Sequence, residues 1–430
     1  MLYALLSSFL LILSFIPFPS HWVFVLCAFV PLMVGIERGR IGVIHVWIAG
    51  LLFWFSVLYW IPRTLNSYGH TGWPVAIAAY VALSLYLSLY FLLWGLWGRL
   101  VGWRALPFAL AYVPLEWLRY RLIYGFPFFM LSHALADAPW LIQLAYPMTQ
   151  WGADLSVVLF NWGLSSKRRL WLPLMLVAAN LALWFSYTPP SLGVKVAVVQ
   201  PNLGEREKWD PKLKKRNMAL VQEMVKRACS SGVDLVVAPE TTLPFIWGVD
   251  AQTFDFLKGV SGCPSNILMG VLAYKDGYIN RAVLIHRGSV VAHYDKRILV
   301  PFGEFVPWRG IIGRVLKIAL PADFRRGGTP PLLTFDHRTF FCGICYEMAF
   351  PHYIRRYRGR FQFMVNITND AWFGRTIAPY MHLWSAVVRA VENRSYLIRS
   401  ANSGISAVVD PKGRILLETP LFERGVWLYR

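Results

Sequence analysis

The sequence predicts a multi-helix integral membrane domain followed by a strand-rich α/β sandwich domain, with helices covering layered sheets. Three observations carry that prediction. Hydrophobic residues make up 56% and charged residues only 15% of the 430 residues, far from the average of soluble proteins. Most ionisable side chains fall after residue 188. Short β-branched, apolar runs then alternate with helix-like stretches in that second half alone. The length suits two sizeable units. Their boundary is expected in YTPPSLG, Tyr187 to Gly193, where two prolines and a glycine end the last apolar run. This assigns residues 1–188 to the membrane domain and 189–430 to a water-soluble domain.

Within the first unit, apolar runs occupy about 3–17, 22–36, 42–61, 74–97, 105–118, 141–163 and 169–187. Several approach the roughly 20 residues that span a bilayer, so about seven transmembrane helices are expected. The first run lacks a basic flank and an A-x-A-like cleavage site, and reads as retained. Arg38, Arg40, Arg99, Arg104, Lys167, Arg168 and Arg169 fall in alternate loops, against Arg63, Arg119 and Arg121 in the others. The positive-inside rule puts the first set in the cytoplasm and, after seven crossings, the second unit outside. Glu116, Asp137 and Asp154 lie in or beside apolar stretches, where pairing with Arg119 or Arg121, or an interfacial position, accounts for them.

The second unit opens with VKVAVVQP (194–201), a charged helical stretch near 211–229 and DLVVAPE, a βαβ pattern. SNILMGVLAY, NRAVLIHRG and SVVAHYD read as strands, the last two as a hairpin across Arg287–Gly288. TFFCGICYE, FQFMVNIT, SYLIRSANSGISAVVD and RILLET supply further strands, and MHLWSAVVRAVENR (381–394) an amphipathic helix.

Three residues in this unit carry chemistry. Glu240 (LVVAPETTLPF), Lys296 (HYDKRILVPFGEFVP) and Cys345 (TFFCGICYEMAFP) each lie at or near the end of a strand-like run. A carboxylate, an ammonium and a thiol so gathered would form a general base, an oxyanion stabiliser and a nucleophile, the equipment for acyl transfer through a thioester. A lone thiol on an apolar strand is more often structural; the other two segments tilt the reading toward catalysis. Cys342 and Cys345 also have C-x-x-C spacing, the competing redox reading, but a strand rather than a helix N-terminus is expected there.

The formal net charge of +20 points to an anionic lipid surface, with no nucleic-acid-binding signature in view. Five cysteines do not make a disulfide framework, and the nine histidines show no metal-ligand spacing. The segment WRGIIGRVLKIAL (308–320) reads as a basic amphipathic helix, either an arm at the lipid interface or an ordinary packed helix.

APE with Glu240, YDKR with Lys296 and CYE with Cys345 resemble the Glu–Lys–Cys triad of the carbon–nitrogen hydrolase (nitrilase) superfamily. LVPFGEFVP (299–307), ITNDAWFG (367–374), the stretch 125–152 and the helices in front are similar to the apolipoprotein N-acyltransferase family. That resemblance implies an α-β-β-α nitrilase-like sandwich and transfer of an acyl chain from a phospholipid, phosphatidylethanolamine as donor, to diacylglyceryl apolipoproteins. It implies no cofactor or metal, and a bacterial inner membrane location with the catalytic domain on the periplasmic side. It also implies supporting roles for Glu304 and Glu347 near Lys296, and substrate handling by Tyr346 and Trp209. Family members usually carry an eighth membrane helix after the catalytic domain; here RGVWLYR (424–430) closes the sequence with no such run.

Overall fold

The structure, a computed structural model, describes residues 1–69, 71–308, 310 and 323–430. Beyond Trp308 and Gly310, the amphipathic segment 308–320 lies outside the described residues.

The N-terminal region is helical: Leu2–Leu13, Val30–Glu37, Val43–Val57, Ile61–Tyr68, Trp73–Leu100, Ala105–Leu110, Tyr112–Arg121, Ala145–Leu164 and Trp171–Phe185 are its main helices. Among the described residues, Trp73–Leu100 alone is long and apolar enough to cross a membrane as one helix. Val43–Val57 and Ile61–Ser67, bent by 41°, pass the same test as a pair. Apolar runs therefore do not equal helices here. Pro62, in the first turn of its helix, lacks the N–H and clashes backward, which breaks the run that precedes it. Thr149, at φ 64°, interrupts Ala145–Leu164.

In this region apolar side chains lie on the outer faces of the helices as well as in the core. Trp73–Leu100 turns Ser84, Ser88, Gly95 and Gly98 inward and leaves Leu85, Leu89, Leu93 and Leu96 exposed. Small residues at helix contacts and leucines outside are the pattern of helices that face hydrocarbon. At Gly95 a Cβ would stand 3.0 Å from the carbonyl oxygen of Val43, a tight approach that glycine makes without displacing the neighbouring helix. The acids found earlier are partnered: Glu116 with Arg119, Asp137 with His21 at 2.9 Å, and Asp154 with the Ser132 N–H at 2.7 Å.

The second region contains two sheets. Strands β1 (Val196–Gln200), β2 (Leu235–Val237), β3 (Ile246–Trp247), β4 (Asn266–Tyr274), β5 (Tyr278–His286) and β6 (Ser289–Asp295) are joined by the last strand of the chain, β13 (Gly425–Tyr429). They run in the order β13-β1-β2-β4-β5-β6, with β3 on β4. The other sheet has the order β12-β11-β10-β9-β8-β7. Its strands are β7 (Leu332–Phe335), β8 (Arg338–Ile344), β9 (Phe363–Thr368), β10 (Tyr396–Ala401), β11 (Ala407–Val409) and β12 (Ile415–Glu418). Residues Gly425–Tyr429 near the end of the sequence thus pair antiparallel with β1. The expected hairpin turn is present, with Arg287 and Gly288 both at positive φ.

The period of two along each strand decides the layers. Val196, Val198, Leu268 and Leu284 face Phe340, Cys342, Ile344, Val365 and Ile398 between the sheets. Ala197, Val199, Ile267 and Met269 face outward against the helices Lys214–Cys229 and Gln252–Gly259. On the far side, Phe341, Met364 and Leu397 pack beneath the helix Ala378–Asn393. The result is an α-β-β-α sandwich. Its Ala378–Asn393 layer shares one continuous core with the N-terminal helices, through Trp384, Phe129, Trp54 and their neighbours.

One pairing was not legible in the sequence. Cys229, at the end of its helix, and Cys263, before β4, form a disulfide. No disulfide framework is expected of five cysteines; this one pair forms because the helix end and strand start meet in the folded core. Cys27, Cys342 and Cys345 are free.

Candidate active site

The site forms where β2, β6 and β8 end. Glu240 follows β2 at the tight turn Pro239–Thr241, with Thr241 at φ 47°. That turn lies directly on β4. A Cβ at Gly270 would come within 2.5 Å of the Glu240 Cα and 2.8 Å of the Pro239 oxygen, so a larger residue would push the carboxylate out of place. Lys296 follows β6 and is buried. Its Nζ donates to Glu240 Oε1 at 3.1 Å and to Glu304 Oε1 at 2.8 Å.

Both carboxylates are held independently of the lysine. Asn280 Nδ2 donates to Glu240 Oε1 at 2.6 Å and to Glu304 Oε1 at 2.8 Å. Glu240 Oε2 accepts the Asn369 N–H at 2.9 Å, and Glu304 Oε2 the Val300 N–H at 2.8 Å. Burial alone would drive the Lys296 ammonium down, but the facing Glu240 and Glu304 carboxylates outweigh it and hold it well above the ordinary lysine range. Lys296 is therefore a fixed cation.

Cys345 sits one residue beyond β8, half-buried, at φ 51°. A non-glycine residue in the left-handed region stores about 1–3 kcal/mol of strain, and here the kink turns Cys345 away from the alternation of β8. Cys342, three residues earlier, points between the sheets among Phe340, Ile344 and Val365, and burial pushes its thiol well up. The two thiols are free, and Cys342 is an inert core residue. At Cys345, burial and then the negative Glu240 raise the thiol, while Lys296 and Thr368 oppose them. The resting group is a neutral thiol.

Glu347 does not touch Lys296. Its Oε1 accepts from the N–H groups of Arg297 (2.7 Å) and Ile298 (3.1 Å) and from the Tyr294 hydroxyl (2.7 Å), while Oε2 accepts from the Ile344 N–H (2.9 Å). It thus ties the backbone beside Lys296 to the backbone just before Cys345. Burial raises its carboxyl, with these donors opposing.

Tyr346 faces the helical region: its hydroxyl donates to Gly125 O at 3.1 Å and its ring meets Phe128 at 5.6 Å. Trp209 lies outside the buried cluster, 37% exposed, with Nε1 donating to Glu205 Oε1 at 2.8 Å. The sequence-predicted residues are thus sorted. Glu240, Lys296 and Glu304 touch one another, Glu347 braces them, and Tyr346 and Trp209 stand on two sides.

Sequence reasoning missed several members. Asn280 bridges the two acids, and its signal was a lone amide within the apolar strand YINRAVLIH. Asn369 and Asp370 lay in a recognised motif without an assigned role. Asp370 accepts from Arg399 (2.7 Å) and Thr368 (3.1 Å) and pairs with His382 Nδ1 (2.9 Å). Although burial opposes it, the Arg399 and His382 contacts pull its carboxyl down to about 2.

Comparison with known proteins defines the class first. Residues 195–429 match the family model of the carbon–nitrogen hydrolases, and the chain belongs to that superfamily. Residues 7–163 match the apolipoprotein N-acyltransferase N-terminal domain. The apolipoprotein N-acyltransferase of Geobacter metallireducens is 34% identical over 99% of this chain and 88% of its own length. That of Rhodopseudomonas palustris is 31% identical over 98% and 88%, and that of Aquifex aeolicus 28% identical over 99% and 97%. The chain is a member of the apolipoprotein N-acyltransferase family and an enzyme. Among solved structures, an amidase from Nesterenkonia sp. is similar at 23% identity and a TM-score of 0.41, over 54% of this chain and 88% of that one.

Proposed function

We propose that the enzyme moves an acyl chain from a phospholipid, phosphatidylethanolamine being the expected donor, through a thioester on Cys345 to the α-amine of the N-terminal diacylglyceryl-cysteine of lipoproteins. The observation that carries this reading is the buried Glu240–Lys296–Glu304 cluster at the strand ends beside Cys345, in a chain whose relatives bear that activity in their names.

The electrostatics support base catalysis over a preformed thiolate. The thiol is raised, so Glu240 takes its proton as sulfur attacks the ester carbonyl. The Lys296 ammonium, held as a cation by two carboxylates, faces the oxyanion, with the Tyr346 N–H as a second donor. Collapse breaks the acyl C–O bond; lysophospholipid leaves with the proton from Glu240, and the acyl group stays on sulfur. The amine then attacks the thioester, Glu240 accepts an amine proton, and sulfur departs and is reprotonated. Glu304 sets the ammonium; Glu347 sets the segments that bear Lys296 and Cys345. Holding both lipid-anchored substrates beside one thiol raises their effective concentration over free diffusion.

The membrane reading places residues 1–188 in the bacterial inner membrane as about seven spans and residues 189–430 on the periplasmic face. Two features support it. Arg169 pairs with Glu37, bringing two of the three basic loops to one end of the helical region, as the positive-inside rule requires. The Cys229–Cys263 disulfide suits an oxidising compartment on the catalytic side.

Initial rates with donor and lipopeptide varied together test the mechanism. Parallel double-reciprocal lines are expected of a covalent intermediate; intersecting lines would rule it out.

A further inference from the structure

Glu205 was not singled out in the sequence, yet it spans the distance between the exposed Trp209 and the buried base. It opens a four-residue helical turn, Glu205–Lys208. Its Oε1 accepts the Trp209 indole N–H at 2.8 Å. Its Oε2 accepts from Asn369 Nδ2 at 2.9 Å and pairs with Lys208 Nζ at 3.0 Å. Asn369 in turn donates its backbone N–H to Glu240 Oε2 at 2.9 Å. One carboxylate therefore lies between an indole at the rim and the residue that orients the base.

The surroundings make this arrangement stiff. Asn369 Oδ1 accepts from Asn402 Nδ2 at 3.1 Å; the same nitrogen donates to Leu203 O at 2.7 Å, and Asn402 Oδ1 accepts from the Leu203 N–H at 3.1 Å. The loop entering the turn is thus bound to the same asparagine pair. Lys208 is 1% exposed, and its Nζ stands 5.6 Å from the Trp209 ring centroid. Burial raises the Glu205 carboxyl, but Lys208, Asn369 and Trp209 prevail and hold it below the usual carboxylate range. Trp209 itself is over a third exposed, so the indole presents part of its ring to solvent while its N–H is anchored inward. An aromatic ring held by its polar edge offers a rigid apolar face at low entropic cost.

We propose that Glu205 is a positioning residue for the acceptor substrate, coupling the Trp209 indole at the rim to the Asn369–Glu240 pair so that capture of the lipopeptide and alignment of the base are set together. The proposal rests on the reading of Glu240 as base and Trp209 as substrate-handling residue. Glu205→Ala removes every arm of the bridge. Glu205→Gln keeps an acceptor oxygen for the indole N–H but sets an NH2 against the Asn369 Nδ2 and Lys208 Nζ donors, so it breaks the inner arm and keeps the outer one. Trp209→Phe keeps a ring and removes the N–H.

The test uses the full chain in detergent, phosphatidylethanolamine as donor and a synthetic diacylglyceryl-cysteine lipopeptide as acceptor. The KM for the lipopeptide and kcat are measured for wild type, the three single variants and Glu205→Ala/Trp209→Phe. The expected results are a KM raised about tenfold in Glu205→Ala, raised nearly as far in Glu205→Gln, and no further loss in the double variant beyond the worse single one. An unchanged KM in Glu205→Ala would overturn the proposal. So would additive effects in the double variant, or a Gln variant with the wild-type KM, which would show that the Asn369 arm carries no coupling. A fall in kcat alone, accompanied by a lowered melting temperature, would mark a merely structural residue and equally overturn it. Failure of the underlying reading is separable, because then wild type itself would not acylate the lipopeptide.

Discussion

Replacing Lys296 by Met tests the cluster at its centre. The ammonium is 1% exposed and lies 3.1 Å from Glu240 and 2.8 Å from Glu304. Met matches its length and leaves two buried carboxylates sharing only the Asn280 amide. Removing one partner from a buried ionic group costs about 3–5 kcal/mol. For a domain of this size, each kcal/mol moves the melting temperature by roughly 2–4 °C, so a drop of roughly 6–20 °C is expected. The pH dependence has a definite sign. Lys296 is raised above its unfolded value, so its contribution is fully present below about pH 10 and is lost only as pH rises through the folded value. Wild type therefore shows no Lys296-dependent loss between pH 5 and 9. Adding Glu304→Gln removes one of the opposed charges and recovers part of the loss. The assay is thermal unfolding of detergent-solubilised protein at a fixed scan rate from pH 5 to 9. A melting temperature within 1 °C of wild type at pH 7.5 would refute the buried-cluster argument.

Further expectations follow from the same contacts. Alkylation of Cys345 by iodoacetamide should be slow at pH 7 and climb steeply above pH 9, since the thiol is raised; Lys296→Met should shift that rise to still higher pH, as mass mapping of the Cys345 peptide would reveal. Asp370 has the opposite sign: its carboxyl is held down at about 2, so its stabilisation of roughly 2 kcal/mol is complete above about pH 4 and disappears between pH 4 and 2. Asp370→Asn should flatten that acid limb in unfolding curves. The Cys229–Cys263 bond closes a sequence separation of 34 residues, for which loop entropy gives about 3–4 kcal/mol. Cys229→Ser, or reduction of wild type, should lower the melting temperature accordingly, with thiol counting to verify the bond.

Much of the fold could be read ahead of the structure because its signals are local. The strands β4 to β6, β8 and β9 follow directly from apolar runs, and the Arg287–Gly288 turn from its residues. Glu240, Lys296 and Cys345 were visible because each ends such a run. What escaped was made by contacts distant in sequence. Glu347 is expected in a supporting role near Lys296, and a 3₁₀ turn directs it onto the backbone N–H groups of Arg297, Ile298 and Ile344, not onto the ammonium. Asn280 and the Asn369 N–H carry no signal until β5 and β9 are brought to the same end of the sandwich. Cys229 and Cys263 join only across a helix end and a strand start. In the N-terminal region, composition marks apolar residues but not where Pro62 or Thr149 interrupts a helix, so the runs and the helices differ. The closing residues Gly425–Tyr429 carried no strand reading and form the edge strand β13.

The most direct test of the central claim is intact-protein mass spectrometry of wild type and Cys345→Ala, first with phosphatidylethanolamine alone and then with the diacylglyceryl lipopeptide added. Wild type should gain one acyl mass and pass it to the peptide amine, while the variant gains none and leaves the peptide unchanged. An acyl-enzyme that releases only free fatty acid in the presence of the lipopeptide, or a Cys345→Ala variant that still acylates it, would contradict transfer through a Cys345 thioester.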